Sequence, residues 1–248
     1  MLTLIRQELY KQLHGKFYIG WGIFMLLISL FLSYKFKGFS VQGGFNPVMT
    51  LFSYNIAISE LALVVFSSSI LTVDFSQQTV KYLFARQFSR GKILLSKLFT
   101  IVVMYIYLIC VSIISSEIGG LIFSLKGQWD ISDILLNLAG TSLYLFLLLS
   151  MVLLISNIFK SNAIATAVGV IFFGALRTIN AIIEQFTQNQ SWIKYNPINF
   201  LNVDKQVYYG SFVKEATKLS LIQIEVGAII WGTIFLLITY VVYNRRNV

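Results

Sequence analysis

The chain has 248 residues, of which 57% are hydrophobic and only 12% charged, with a mean hydropathy of +0.77. That is about half the charged fraction of a water-soluble domain, so the sequence excludes a soluble globular protein. The net charge of +9 does not indicate nucleic acid, because Lys and Arg gather in short segments flanking apolar runs instead of lining one exposed face.

The first element is a basic N-terminal stretch, residues 1–16. Leu2, Ile5, Leu9 and Leu13 share one helical face, while Arg6, Gln7, Lys11 and His14 lie elsewhere, the pattern of a helix lying on a membrane surface. The apolar run that follows is too long for a signal peptide and lacks a small-x-small cleavage site, so it reads as a retained first span.

Six apolar runs have span length: about Phe17 to Ser33, Leu51 to Val73, Leu98 to Phe123, Ile134 to Ile158, Ala163 to Ile183 and Leu221 to Tyr243. None alternates with a period of two, and a segment in hydrocarbon satisfies its own backbone only as a helix. The expected fold is therefore an all-α membrane protein, one transmembrane domain over residues 1–248. Arg6, Lys11, Lys16, the basic residues between spans two and three, Lys160, Arg245 and Arg246 fall on one side. Fewer lysines, partly dispersed in a long loop, fall on the other, so both termini are expected in the cytoplasm of a multi-pass membrane protein.

Between spans two and three, residues 74–97 read as a short amphipathic helix. Val80, Leu83, Phe84 and Phe88 follow helical spacing among Gln77, Lys81 and Arg86, and Ser89-Arg90-Gly91-Lys92 reads as a turn. Aromatic residues exposed beside charge mark a partner surface. Residues 184–220 form a long outward loop rich in aromatics, including Trp192, Tyr195, Tyr208 and Tyr209, for which short helices or a re-entrant piece packed at the outer interface are expected.

Glu60, Glu117, Arg177 and Glu225 lie within or at the edges of spans and are candidates for a translocation path, since charge in the bilayer is costly. Counted along their helices, all four fall in the outer half of the membrane. Arg177 paired with Glu117 or Glu60 would line a polar cavity suited to a cationic or amphipathic substrate; a structural ion pair is the alternative. Ala165 with Gly169, and Ala228 with Gly232, are small pairs one turn apart that could form a dimer seam.

Gly15-Lys16 and Gly91-Lys92 lack the upstream glycine of a phosphate-binding loop. The single histidine and the lone Cys110 give no catalytic triad, disulfide or metal cluster. The chain is thus expected not to be an enzyme and to hold no cofactor or metal.

This organisation resembles the permease subunits of ABC-type exporters of the type-2 family, which have six spans, an N-terminal interfacial helix, a cytoplasmic coupling helix between spans two and three, and short outer helices between spans five and six. The closest local match is Asp74 to Lys97: an acidic residue ending span two, the Thr79 to Phe88 helix, then Ser89-Arg90-Gly91-Lys92 leading to Lys97. Gln78 stands where that family usually has Gly, and Gln87-Phe88 where it often has Pro and a hydrophobic residue. The resemblance implies that Val80, Leu83, Phe84 and Phe88 dock into a separate cytoplasmic ATP-binding subunit and that Arg86 and Arg90 touch its surface. It also implies ATP and Mg on that partner only, and a second permease subunit. The chain's small size resembles permeases that bacteria use to export antimicrobial peptides such as lantibiotics or bacitracin. The competing expectations are a proton-driven secondary transporter working through Glu60 or Glu117, and a membrane sensor or assembly factor that recruits a soluble partner.

Overall fold

The computed structural model describes residues 2–38, 46–76, 88–189 and 192–245, and within these the side chains of residues 75, 177, 184, 187–189, 211 and 212 are outside the description. The described chain is all helix, with no strand among its residues: α1 Leu2–Gly15, α2 Phe17–Phe36, α3 Pro47–Ile70, α4 Val73–Ser76, α5 Arg90–Ile122, α6 Ile131–Ser156, α7 Asn162–Asn189, α8 Val203–Tyr209, α9 Ser211–Thr217 and α10 Leu221–Arg245, with 3-10 turns at Ile193–Tyr195 and Asn199–Asn202. Six of these helices, α2, α3, α5, α6, α7 and α10, are long and apolar enough to cross a membrane. The protein is an all-α, multi-pass membrane protein.

The helix ends follow local chemistry. Asn46 precedes Pro47, and its Oδ1 accepts the Met49 N–H at 3.4 Å, so α3 opens on an amide cap with proline at its first position. This start precedes the expected Leu51. α5 begins at Arg90 instead of Leu98, which corrects the turn expected at Ser89-Arg90-Gly91-Lys92: the helix cost of Gly91 is backbone entropy of about 1 kcal/mol, which one residue in a 33-residue helix does not turn into a break. Gly91 also lies against Tyr240, where a Cβ would come within 3.2 Å of the ring. At 33 residues, α5 is about 50 Å long, against a bilayer core of about 30 Å.

The chain forms two compact units. The first holds residues 1–63 and 92–134. Its core is a seam of small and polar residues where α2, α3 and α5 approach closely: Ser29 Oγ donates to the Ser115 carbonyl at 2.7 Å, and Asn55 Nδ2 donates to Ser116 Oγ at 2.7 Å and Ser29 Oγ at 3.3 Å. Asn55, Ser29 and Ser116 are fully buried. Gly119 completes the seam, since a Cβ there would sit 2.2 Å from Ser33 Oγ. Such side chains let helices approach where lipid supplies no hydrophobic drive between them.

The second unit holds residues 64–91 and 135–248. Here the small pairs expected to form a dimer seam are used within the chain. Gly169 packs on Ser68 and Val152, and Gly232 on the Phe146 ring, with Ala165 and Ala228 fully buried. These positions are therefore filled by the chain itself, which corrects that expectation.

Candidate functional site

α1 has three faces where two were expected. Leu2, Tyr10 and Leu13 are exposed and apolar, as for a helix resting on lipid, while Gln7, Lys11 and His14 are exposed on a polar side. A third face, carrying Leu4 and Glu8, is buried, and Glu8 is the residue that composition and spacing did not single out. Its carboxylate meets Lys97 Nζ at 3.4 Å, the two side chains being 4% and 2% exposed, and Lys11 Nζ at 3.2 Å.

Lys97 lies on a stripe of α5 that is otherwise apolar or small, with Ile93, Leu94, Ile101 and Met104. Its burial corrects its place among the solvent-side cations. A buried ammonium needs a charged, hydrogen-bonded partner, and Glu8 on the other helix supplies one. The one signal available beforehand was that Glu8 is the single acidic residue of α1.

Of the residues expected to form the partner surface, Val80, Leu83, Phe84 and Arg86 lie outside the described residues. Phe88 is half-buried just before α5. Arg90 Nη1 donates to the Asn244 carbonyl at 2.5 Å, so this guanidinium caps the C-terminal end of α10, where the helix dipole favours a cation.

The four membrane charges lie on four helices. Glu60 is buried and engaged in an interaction. Because α3 starts at Pro47, it stands about 20 Å along a helix of about 36 Å, near the middle of the helix. Arg177 likewise falls near the middle of α7 once that helix runs to Asn189; its side chain lies outside the described residues. Glu117 is exposed and its Oε2 accepts the Trp129 indole N–H at 2.5 Å, with Trp129 standing edge-on to Phe52 at 5.8 Å. Glu225, half-buried, is in the first turns of α10.

The segment between α7 and α10 is a built cap. Asn199 Nδ2 donates to the Lys194 and Thr217 carbonyls at 2.8 and 3.0 Å. Gln206 Nε2 donates to the Leu219 carbonyl at 2.8 Å, and Thr217 Oγ1 to Gln206 Oε1 at 2.9 Å. Asn180 of α7 and Asn202 exchange amide hydrogen bonds at 2.7 and 3.2 Å. Around this frame Trp192, Tyr195, Tyr208 and Tyr209 are exposed. Among the described residues no three of His, Cys, Asp and Glu gather as metal ligands.

A family model described as "Protein of unknown function (DUF2705)" matches residues 22–248. The chain belongs to the DUF2705 family. This DUF2705 chain is also similar to two proteins of Bacillus subtilis strain 168. It is 26% identical over 212 residues to "Uncharacterized protein YhcI", covering 77% of this chain and 65% of that one. It is 30% identical over 129 residues to "Uncharacterized membrane protein YdbK", covering 50% and 52%. The chain thus spans about half to two thirds of the length of the curated relatives it matches.

Proposed function

We propose that this protein is the transmembrane subunit of an ATP-driven exporter of the ABC type, working with a separate cytoplasmic ATP-binding subunit and a second permease subunit. The observation that carries this reading is the Glu8–Lys97 pair. It joins the N-terminal helix α1 to Lys97 of α5, the lysine that ends the Asp74–Lys97 stretch, which supports a fixed place for α1 beside the start of the third span. In this reading, Val80, Leu83, Phe84 and Phe88 dock on the ATPase, and Arg86 and Arg90 contact its surface. ATP and Mg are held by the partner, and the permease pair alternates access to a shared path. Both termini face the cytoplasm of a bacterial cell membrane. The substrate class is an amphipathic molecule: an antimicrobial peptide, a drug or a lipid.

The test is affinity purification of the tagged protein from its native membrane, with identification of what co-purifies. A soluble ATP-binding protein recovered with the wild type and lost from Phe84→Asp, together with loss of ATP-dependent transport, is the expected result. Normal transport by Phe84→Asp overturns the reading.

The buried position of Glu60 near the middle of α3 favours a second reading, proton-driven transport. In that case Glu60→Gln stops transport in vesicles containing no ATPase. Absence of both an ATPase partner and transport instead leaves a sensor or assembly factor.

A further inference from the structure

α2 presents two faces. Tyr18 and Gly22 turn toward α5, where Tyr107 Oη donates to the Tyr18 carbonyl at 2.9 Å and a Cβ on Gly22 would come within 2.8 Å of Tyr107 Oη. About a third of a turn away, Phe17, Gly20, Trp21 and Phe24 line a shallow, open groove of about 390 Å³ along this one helix. The rings pack on one another, Phe17 with Trp21 at 5.9 Å and Trp21 edge-on to Phe24 at 5.4 Å, and form an aromatic wall. Gly20 forms the floor, and nothing lies within 4 Å of where its Cβ would be.

The residue before this groove is Lys16, exposed and held in the left-handed region at φ 55° with no side-chain capping bond. A non-glycine residue adopts that conformation only under strain. That conformation also turns the chain from α1 into the span α2, so a cation stands in the sequence next to the apolar, aromatic-walled groove.

We propose that the Phe17–Gly20–Trp21–Phe24 groove with Lys16 binds an anionic phospholipid of the leaflet on which α1 lies, its acyl chain along Gly20 and its phosphate on the Lys16 ammonium. Charge complementarity selects the headgroup, and the open space over Gly20 takes the chain. The site stands independently of transport.

The test is quenching of Trp21 by dibrominated lipid in proteoliposomes of the full chain, with Trp21→Phe giving the background from the other tryptophans. At equal mole fraction, brominated phosphatidylglycerol is expected to quench the Trp21 signal with about fivefold higher apparent affinity than brominated phosphatidylcholine, the scale of one cation beside an anionic surface. Lys16→Gly removes the charge while suiting the left-handed backbone, and should abolish the preference. Gly20→Leu puts a side chain into the open groove, its Cβ meeting nothing within 4 Å, and should weaken quenching by both lipids. Free inorganic phosphate should not compete. Equal quenching by the two lipids in the wild type, or a preference unchanged by Lys16→Gly, overturns the proposal. So does efficient Gly20→Cys cross-linking between chains, which would give the groove to a second copy.

Discussion

The Lys97 ammonium and the Glu8 carboxylate stand 3.4 Å apart with both side chains almost wholly withdrawn from solvent. Breaking a buried pair costs more than the pair contributes, because the survivor loses the counter-charge that offset its burial. Glu8→Gln and Lys97→Met are each expected to lower stability by about 3–5 kcal/mol, with Lys97→Met the milder case because the surviving Glu8 keeps Lys11 as a counter-charge. The double variant Glu8→Leu with Lys97→Met should recover much of that loss. A thermal-unfolding double-mutant cycle in detergent checks this; strictly additive effects would mean that the two side chains do not interact.

The seam at Gly119 is tight enough to measure. Gly119→Ala places a methyl 2.2 Å from Ser33 Oγ and is expected to destabilise by about 1–3 kcal/mol, as overpacking does. Removing the obstructing oxygen with Ser33→Ala in the same chain should restore most of it, because the next neighbour, Ser29 Oγ, is 3.2 Å away. Thermal denaturation of the single and double variants decides the matter.

In the cap between α7 and α10, Thr217→Val keeps the shape of the side chain but removes the donor to Gln206 Oε1. Both residues are buried, so the orphaned amide oxygen should cost about 1–3 kcal/mol. Hydrogen exchange should rise in residues 199–220 while α5 is unaffected. Unchanged exchange there would remove Gln206 and Thr217 from the cap's frame.

Asp130 supplies a pH dependence outside the spans. Its Oδ1 accepts the Ser132 hydroxyl at 2.7 Å and the Ser132 and Asp133 N–H groups at 2.8 and 3.4 Å, and these bonds hold its carboxyl below the ordinary 3.8, the Ser132 side chain being the largest cause. A depressed pKa contributes stability that is present above 3.8 and lost as pH falls through the depressed value. The start of α6 should therefore fray on acidification below that range. Amide exchange at residues 131–134 followed against pH should show the transition, and Asp130→Asn should flatten it.

The six spans were legible because hydrocarbon imposes length and apolarity on each segment separately. Leu145 to Leu153 and Ile229 to Val242 could scarcely be anything else. Helix ends were less legible, since they depend on single side chains: Asn46 capping α3 ahead of the apolar run, and Arg90 reaching the Asn244 carbonyl. Least legible was the partnership of charges. Lys97 looked like one more flanking cation, because nothing local distinguishes a lysine facing headgroups from one facing a carboxylate far away in the chain. Glu117 looked like a path residue, yet it accepts a hydrogen bond from Trp129, twelve residues on. Pairings of this kind arise only when helices are brought side by side.

α5 carries both of these contacts, Lys97 toward one end and Glu117 toward the other, on a single unbroken helix. The two residues are roughly 30 Å apart along its axis, close to the hydrocarbon thickness of an ordinary bilayer. The helix is thus a ruler graduated at both margins, and its two polar marks cannot both sit at the surface of a bilayer several ångströms thicker or thinner. Acyl-chain length should therefore register in this protein as a choice between straining the α1 anchor and straining the Trp129 strap, with tilt of α5 the cheapest compromise.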